Sequence, residues 1–333
     1  MRPFSYARAH SIDDACAALQ DHKNSKALAG GTNLIDLMKT GVEQPSTLVD
    51  ISRIPMSDII EHNDGVRIGS MATNSAVANH KLIRERYPVL TEALLSGASP
   101  QIRNVATVGG NLLQRTRCYY FYDPSYHECN KRTPGSGCAA LQGQNRIHAI
   151  LGTSDKCIAT HPSDMAVALA ALEAVVYVEG LRGAVRAIPL RDFHRLPGTT
   201  PEIETELKTG ELITHVEIPK PLSTRSCYLK VRDRKSYAFA LVSVAAIVDI
   251  DPATKNIRDA RIALGGVAHK PWRVPEAEQI MRGKPASERT FNEAAAVLVR
   301  GARSHRYNAF KVELARRSAV RALLSAASES RPV

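Results

Sequence analysis

Two short segments of this chain share one pattern that strongly restricts the backbone. They read LAGGTNL at residues 28–34 and ATVGGNLL at residues 106–113, and each places a Gly-Gly pair and an Asn after an apolar, strand-like run. Glycine has no Cβ, so such pairs let the backbone adopt positive φ and let several N–H groups point at one anion. The segments predict either two tight turns or a phosphate site built from two loops. Neither segment matches GxGxxG or GxxxxGK[ST], which disfavours a Rossmann domain and a nucleotide hydrolase.

The residues around the first segment alternate between strand and helix patterns. FSYAR and TLVDI predict strands, and SIDDACAALQDH predicts a helix capped by Ser11, with Cys16 as a small core residue. Further along, HPSDM at residues 161–165 opens another helix, which Ser163 or Asp164 would cap unless the Asp holds a ligand. These patterns therefore predict that the N-terminal part contains small β-α-β units and irregular segments.

A run of prolines ending at Pro219 and Pro221 predicts a domain boundary. Three strand-like segments follow, SCYLKVRD, AFALVSVAAIVDI and RDARIALGGV, and then three helices from about Val274, Glu288 and Asn308. This order predicts an α+β domain whose sheet is covered on one side by helices. A chain of 333 residues is long enough for two or three such domains.

The charge of the chain is unbalanced, because Lys plus Arg (44) exceed Asp plus Glu (33) by 11. Part of the excess falls in residues 300–321, where a helical pattern predicts a solvated face or a surface for an acidic protein partner. No nucleic-acid-binding motif accompanies the charge, so no nucleic acid partner is expected. The sequence has no run of 18 apolar residues and no signal-peptide pattern at its start, which predicts a cytoplasmic chain with no membrane insertion.

Four of the six cysteines lie in one irregular region, which begins RTRCYYFYDPSYHECNKRTPGSGC at residue 115. They are Cys118, Cys129, Cys138 and Cys157. Four thiols can form two disulfides, a zinc site or an iron–sulfur cluster, or no site at all. Disulfides need an oxidising compartment, and the usual zinc and ferredoxin spacings are absent, so spacing alone leaves these alternatives open. We interpret the nearby His127, His148 and His161 as ordinary loop residues, although each could replace a cysteine ligand.

Several of these motifs occur together in one known family. AGGTNL, QIRNVATVGGNL at residues 101–112, HPSDM, GELITHVEIP and YLKVRDRKSYAFALVSVAA resemble the FAD-binding subunits of the molybdenum hydroxylase family, which includes xanthine dehydrogenase and carbon monoxide dehydrogenase. The resemblance runs from Phe4 to about Leu324. It implies an α+β chain with a two-subdomain FAD-binding fold of the PCMH, or vanillyl-alcohol-oxidase-like, type. The subdomains would cover about residues 1–55 and 56–220, and a C-terminal domain of the CO dehydrogenase flavoprotein type would cover residues 221–333.

The same resemblance implies a set of FAD-binding residues. The two glycine segments would cradle the pyrophosphate, Asp164 would contact the ribityl or adenosine part, and Lys230 would lie by the isoalloxazine ring. From the residues alone, Lys230 is better interpreted as a solvated strand lysine. The full implied set is Ala27, Leu28, Ala29, Gly30, Gly31, Thr32, Asn33, Leu34, Thr107, Gly109, Gly110, Asn111, Asp164 and Lys230.

The cysteine region is an insertion that most of the family lacks. It resembles the insertion that carries a 4Fe-4S cluster in bacterial periplasmic aldehyde oxidoreductases and, with other spacing, in 4-hydroxybenzoyl-CoA reductase. The resemblance thus implies that Cys118, Cys129, Cys138 and Cys157 bind a 4Fe-4S cluster at about residues 114–160.

The implied function is electron transfer in a heterotrimeric molybdenum enzyme that oxidises aldehydes. A large subunit would hold the molybdenum cofactor and the substrate chemistry, and a small subunit would hold two 2Fe-2S clusters. This chain would pass their electrons through FAD to a ferredoxin or a quinone-type acceptor, and it would contain no substrate-converting residues. The alternatives are a reductive relative of 4-hydroxybenzoyl-CoA reductase and a zinc-stabilised binding module that is not an enzyme. Co-export with a leader-bearing partner is the alternative to a cytoplasmic location.

Overall fold

The N-terminal part of the chain forms a small parallel sheet. The computed structural model describes residues 1–22 and 24–328. The first elements are β1 (Ser5–Arg8), α1 (Ile12–Asp21), β2 (Ser25–Leu28), α2 (Leu34–Lys39) and β3 (Thr47–Asp50). The strands pair in the order β1-β3-β2. Ser11 caps α1 by accepting a hydrogen bond from the Asp14 N–H at 3.1 Å, and Cys16 is fully buried, so both predictions are confirmed.

The central part is built on an antiparallel sheet with the order β4-β5-β8-β6-β7. Its elements are β4 (Ile59–His62), β5 (Gly65–Gly69), α3 (Asn74–Asn79), α4 (Lys81–Arg86), α5 (Pro88–Ser96), α6 (Pro100–Arg103), α7 (Val108–Leu112), α8 (Tyr119–Tyr122), α9 (Asp164–Ala171), β6 (Val175–Gly180), β7 (Ala184–Pro189), α10 (Leu190–Phe193) and β8 (Leu212–Ile218). Apolar side chains of the sheet, α3, α5 and α9 share one core. The sheet and its helices therefore form one packed layer pair.

The C-terminal part contains the three strands and three helices that the sequence predicts. They are β9 (Ser226–Val231), β10 (Val242–Ile250), β11 (Ile257–Gly265), α11 (Pro275–Met281), α12 (Glu288–Leu298) and α13 (Phe310–Ala327). The strands pair antiparallel in the order β11-β10-β9. The chain passes from β8 to β9 through the proline-rich residues 219–225, and the domain boundary at Pro219 to Pro221 stays a prediction.

The C-terminal sheet is covered on both faces, whereas the sequence predicted helices on one side only. Along β10, Val244 and Ala246 join the core formed with α11, α12 and α13. Ala245 and Ile247, which point the other way, join the core that contains α5 and α9 of the central part. Alternate side chains of a strand lie on opposite faces, so a nearly continuous apolar run such as that of β10 is buried on both sides.

The long region between α7 and α9 has only one regular element, the short helix α8. Its backbone is held by hydrogen bonds to the C-terminal part. The N–H groups of Ile150 and Leu151 donate to Val267 O at 2.9 and 3.0 Å, and the His161 N–H donates to Ala268 O at 3.0 Å. In the ranges 1–22 and 24–328, no helix combines the length and apolar character needed to cross a membrane.

Candidate functional site

A cleft of about 520 Å³ lies beside the two glycine segments. Its size is within the range of small-molecule and cofactor sites. The predicted cofactor-binding residues that line it are Ala27, Ala29, Gly30, Gly31, Thr32, Asn33, Leu34, Thr107 and Gly110. Both glycine segments therefore contribute backbone to the same cleft.

The first glycine segment follows β2, and the second begins as a helix. Gly31 has a φ of 68°, and a Cβ on Gly30 would lie 2.0 Å from the carbonyl oxygen of Val105, so Gly30 allows the first segment to touch the residue just before the second. The strand-like run predicted before the second segment is wrong. Thr107 makes only an isolated bridge with Thr73, and its Oγ1 accepts a hydrogen bond from the Gly110 N–H at 3.3 Å, which caps α7.

Five of the predicted cofactor-binding residues lie outside the lining of this cleft. Leu28 ends β2 and pairs with Asp50 of β3. The Gly109 N–H donates to Ser70 O at 2.8 Å, which turns Gly109 toward the sheet. Asn111 Oδ1 accepts a hydrogen bond from Ser163 Oγ at 2.6 Å, and this contact joins the second glycine segment to the start of α9.

The other two, Asp164 and Lys230, form a buried ion pair. Lys230 Nζ lies 2.7 Å from Asp164 Oδ2 and donates to Ser96 O at 3.0 Å. The Tyr228 hydroxyl donates to Asp164 Oδ1 at 2.7 Å, and burial followed by the Asp164 charge raises the pKa of Tyr228 well above its usual value. The Lys230 side chain is only 4% exposed, so its interpretation as a solvated strand lysine is wrong. The cause is the helical cover on the second face of the C-terminal sheet.

A second cavity, of about 210 Å³, adjoins the first near this ion pair. It is lined in part by Asp164, Phe239 and Gly265, and it shares Thr160 and His161 with the larger cleft. Asp164 therefore faces a cavity, while the described contacts of Lys230 are with Asp164 and Ser96.

Charged residues that sequence reasoning missed line the larger cleft. Lys131 Nζ and Arg115 Nε each lie 2.5 Å from a carboxylate oxygen of Glu204, and Arg115 also pairs with Glu43. Burial alone would raise the pKa of Glu204, but Lys131 and Arg115 lower it to about 2. Arg115 and Lys131 belong to the cysteine region, so this network connects that region to the cleft.

Three histidines in the cleft carry buried ring nitrogens without a hydrogen-bond partner among the described residues. They are Nε2 of His161, Nδ1 of His194 and both ring nitrogens of His269. Burial lowers the pKa of His194 to about 4 and the pKa values of His161 and His269 well below the usual range, so all three rings are neutral. The His194 Nε2–H donates to Leu112 O at 2.9 Å, which leaves Nδ1 of that ring as an acceptor, whereas His269 has both a donor and an acceptor unpaired. Buried polar atoms rarely lack partners, so these ring nitrogens suit a ligand with polar ring atoms, while the backbone of the two glycine segments suits phosphates. FAD fits this description.

The four predicted cluster cysteines lie together in one small core. Cys118, Cys129 and Cys157 are at most 8% exposed and Cys138 is half-buried, and they pack with Tyr120 and Phe121. A hydrogen bond between Cys138 and Cys157 lowers the pKa of Cys138 to about 6 and raises that of Cys157. Cys16 and Cys227 belong to two other cores. All six cysteines lie within the described residues, and none of them forms a disulfide.

The sulfur atoms of the four cysteines are not arranged around a single metal ion. Among residues 1–22 and 24–328, no three His, Cys, Asp or Glu side chains approach closely enough to hold a single metal ion. Zinc requires four ligands within about 2.0–2.3 Å of one centre, whereas a four-iron cluster spreads its thiolates farther apart. Four thiols gathered in one core are also the donor set that a 4Fe-4S cluster takes.

The histidines of the cysteine region differ from one another. His127 is exposed, as expected of an ordinary loop residue. His148 is 1% exposed, and its Nε2 lies 3.1 Å from Cys118 Sγ. His161 lines the cleft. The C-terminal part covers this region and buries the ring of His148 and the Nε2 atom of His161, so these two are not exposed as His127 is. That none of the three histidines is a ligand stays a prediction.

Comparison with known families agrees with this site. Residues 2–221 match the model described as the FAD binding domain in molybdopterin dehydrogenase, and residues 227–326 match the CO dehydrogenase flavoprotein C-terminal domain. The chain belongs to the FAD-binding subunits of the molybdenum hydroxylase family. It is accordingly a subunit of an oxidoreductase, and its FAD-binding fold followed by a CO dehydrogenase flavoprotein domain confirms the predicted fold class.

Individual members of the molybdenum hydroxylase family match over nearly the whole chain. The aldehyde oxidoreductase FAD-binding subunit PaoB of Escherichia coli (strain K12) is 49% identical, covering 99% of this chain and 100% of its own. The nicotine 6-hydroxylase medium subunit of Paenarthrobacter nicotinovorans is 30% identical, covering 91% and 87%. Reconstituted CO dehydrogenase from Oligotropha carboxidovorans superposes with a TM-score of 0.77 at 25% identity, covering 99% of both chains.

Proposed function

We propose that this chain carries FAD and a 4Fe-4S cluster and transfers electrons within a heterotrimeric, molybdenum-dependent aldehyde oxidoreductase. The observation that carries the proposal is the convergence of four cysteines beside a cleft built by the two glycine segments. The relative with 49% identity is named an aldehyde oxidoreductase subunit, which supports aldehydes as the substrate class. Electrons would arrive from the 2Fe-2S clusters of a small subunit, and a large subunit with the molybdenum cofactor would oxidise the substrate.

Within this function, the residues of the chain bind and position FAD. FAD supplies the redox chemistry, while the protein supplies orientation and electrostatics. The backbone of Gly110 can approach the phosphates closely because it has no side chain, whereas Gly30 and Gly31 let the first segment pack closely against its neighbours. The neutral imidazoles of His194 and His269 supply buried hydrogen-bonding atoms that have no partner among the described residues.

The network of Arg115, Lys131, Glu43 and Glu204 has a different role. Its own two positive and two negative charges cancel, so the excess positive charge beside it comes from Lys26, whose Nζ lies 3.6 Å from Glu43 Oε2, and not from the network. Instead, Lys131 Nζ donates to Pro201 O at 2.9 Å as well as to Glu204. These bonds fix the cysteine region against the segment of Pro201 and Glu204, which lines the cleft. The network therefore keeps the two cofactor sites adjacent.

The proposal is tested by iron, sulfide and flavin analysis of six cysteine-to-serine variants. Serine at Cys118, Cys129, Cys138 or Cys157 is expected to lower iron content, because each substitution removes a thiolate ligand. Serine at Cys16 or Cys227 is expected to leave iron unchanged, since these thiols lie in other cores. Equal iron loss in all six variants would contradict the assignment, and a colourless wild-type protein containing zinc would support a binding module instead.

The direction of electron flow is tested on the assembled complex. A reductive relative of 4-hydroxybenzoyl-CoA reductase would consume electrons at an aromatic thioester, while the proposed enzyme would release them from an aldehyde. Assays that supply an aldehyde with an oxidising dye, or an aromatic CoA thioester with a strong reductant, separate the two. We expect turnover only with the aldehyde.

A further inference from the structure

The ring of His148 is held against one sulfur of the cysteine core. Its Nε2 lies 3.1 Å from Cys118 Sγ, the side chain is 1% exposed, and its Nδ1 has no partner among the described residues. The other ring contacts of His148 are with the aromatic rings of Tyr119 and Tyr120, whose centroids lie 6.5 and 6.2 Å away. The sulfur is therefore the polar atom that this imidazole contacts.

Which ring nitrogen of His148 carries the hydrogen atom follows from the cost of burying an N–H group without an acceptor. If Nδ1 carried the proton of the neutral ring, a buried N–H group would lack a partner, which is unfavourable. If Nε2 carries it, the N–H group donates to Cys118 Sγ. A thiolate is a better acceptor than a thiol and has no S–H of its own to donate, so a cluster-bound Cys118 selects the Nε2–H form.

The C-terminal part fixes the backbone that carries this ring. Lys311 Nζ donates to His148 O at 2.8 Å, and Asn308 Nδ2 donates to the same oxygen at 3.4 Å. The His148 N–H donates to Asn145 O at 3.0 Å. Lys311 and Asn308 are fully buried, so the imidazole has little freedom to move away from the sulfur.

We infer that His148 donates a hydrogen bond to the Cys118 sulfur and raises the reduction potential of the cluster. This inference rests on the proposed function, which places a 4Fe-4S cluster on these cysteines. Reduction adds one electron to the cluster without breaking a bond or moving a proton. The positive end of the N–H dipole stabilises the added negative charge, and hydrogen bonds to cluster sulfurs are among the factors that set such potentials. His148 is a positioning residue for the charge and not a ligand.

The test compares His148→Leu with His148→Gln and with the matched control His127→Leu in the full chain. Leu removes the N–H donor, Gln can restore one, and His127 is an exposed histidine of the same region. Iron content is measured first, and the cluster potential is then measured by a redox titration followed by EPR. We expect four irons per chain in every variant. At a fixed potential, the reduced-to-oxidised ratio should fall about tenfold in His148→Leu, which corresponds to about 59 mV for one electron.

The measurements distinguish failure of the His148 inference from failure of the proposed function. A lowered potential in His148→Leu that Gln largely restores, with the control unchanged, supports the inference. An unchanged potential in His148→Leu overturns it, and so does loss of iron in that variant, which would make His148 a ligand. Absence of iron from the wild-type chain would instead defeat the proposed cluster itself.

A measurement on the wild-type chain covers the case in which His148→Leu does not fold. Protein labelled with ¹⁵N-histidine should show a nitrogen coupling to the reduced cluster in pulsed EPR, transmitted through the N–H···S hydrogen bond. The coupling should persist in His127→Leu and disappear in His148→Gln, whose amide carries no label. Wild-type protein with a cluster but without the coupling would overturn the inference.

Discussion

At the scale of single residues, the glycines that line the cleft have different structural roles. Gly30 touches the backbone just before the second glycine segment, since a Cβ there would lie 2.0 Å from Val105 O. Gly110 is exposed, and a Cβ there would meet only Thr107 Oγ1 at 3.1 Å. A side chain at Gly30 therefore disturbs the protein itself, whereas a side chain at Gly110 mainly fills the space of a ligand.

This difference makes Gly110→Val the sharper test of FAD binding. We expect a folded protein with much less than one flavin per chain, because the valine side chain would occupy the cleft. The measurement is the flavin-to-protein ratio, with circular dichroism as a check on folding. Gly180→Val is the matched control, since a Cβ at Gly180 makes only ordinary contacts of 3.7 Å or more. Full flavin occupancy in Gly110→Val would contradict this placement of the cofactor.

The Asp164–Lys230 pair should contribute to stability far more than an exposed pair does. Replacing Lys230 by Met leaves the Asp164 charge buried without its cation, which costs about 3–5 kcal/mol of the free energy of unfolding. The same change at Lys284, whose pair with Glu293 is almost half exposed on both sides, should cost at most about 1 kcal/mol. Urea unfolding of the two variants measures the difference. Equal losses would show that the buried pair has no special role.

At the scale of secondary-structure elements, the sequence predicts what local patterns encode. The cap at Ser11, the buried position of Cys16 and the three C-terminal strands depend on spacing and residue type within short segments. The Glu204 network does not follow from local patterns, because Glu204 is 73 residues from Lys131 and 89 from Arg115 along the chain. No spacing rule joins such positions. Burial of Lys230 likewise depends on α5 and α9 packing against the second face of a distant sheet.

The Glu204 network predicts a specific loss of stability in acid. The pKa of Glu204 is lowered to about 2 in the folded chain, from an ordinary value of 4.5. Its contribution is therefore complete above the ordinary value and is lost as the pH falls from 4.5 toward 2. Glu204→Gln lacks this contribution, so the difference in unfolding free energy between wild type and variant should shrink over that range. Glu202→Gln, which lies outside the network, is the control and should track the wild type at every pH.

At the scale of the whole molecule, the net charge of +11 bears on the electron acceptor. We propose a protein or a quinone-type carrier in preference to NAD. An added cluster offers a one-electron exit, which hydride transfer to NAD would not need. A positive surface also speeds the encounter with an acidic redox protein such as a ferredoxin.

This acceptor proposal is tested by steady-state aldehyde oxidation with NAD, a ferredoxin and a quinone compared side by side. The ferredoxin rate should fall with added salt, because the Debye length shrinks from about 10 Å at 0.1 M to about 3 Å at 1 M. The quinone rate, which involves no charged partner, is the control for general effects of salt on the enzyme. Rapid NAD reduction would contradict the proposal, and a salt-insensitive ferredoxin rate would remove only its electrostatic part.

Residues near the C-terminus hold the cysteine region by hydrogen bonds, and this has a consequence for when iron can bind during protein synthesis. Lys311 holds His148, and Arg303 donates its N–H to Ile150 O at 2.7 Å, yet Lys311 follows Cys157 by about 150 residues. At about 5–20 residues per second, the four thiols leave the ribosome roughly 8 to 30 seconds before this support exists. We expect iron to enter only after release: chains arrested on the ribosome at residue 300 should hold none, and released full-length chains should acquire it. Iron on the arrested chains would show that the cysteine region can form its site before the C-terminal helices are made.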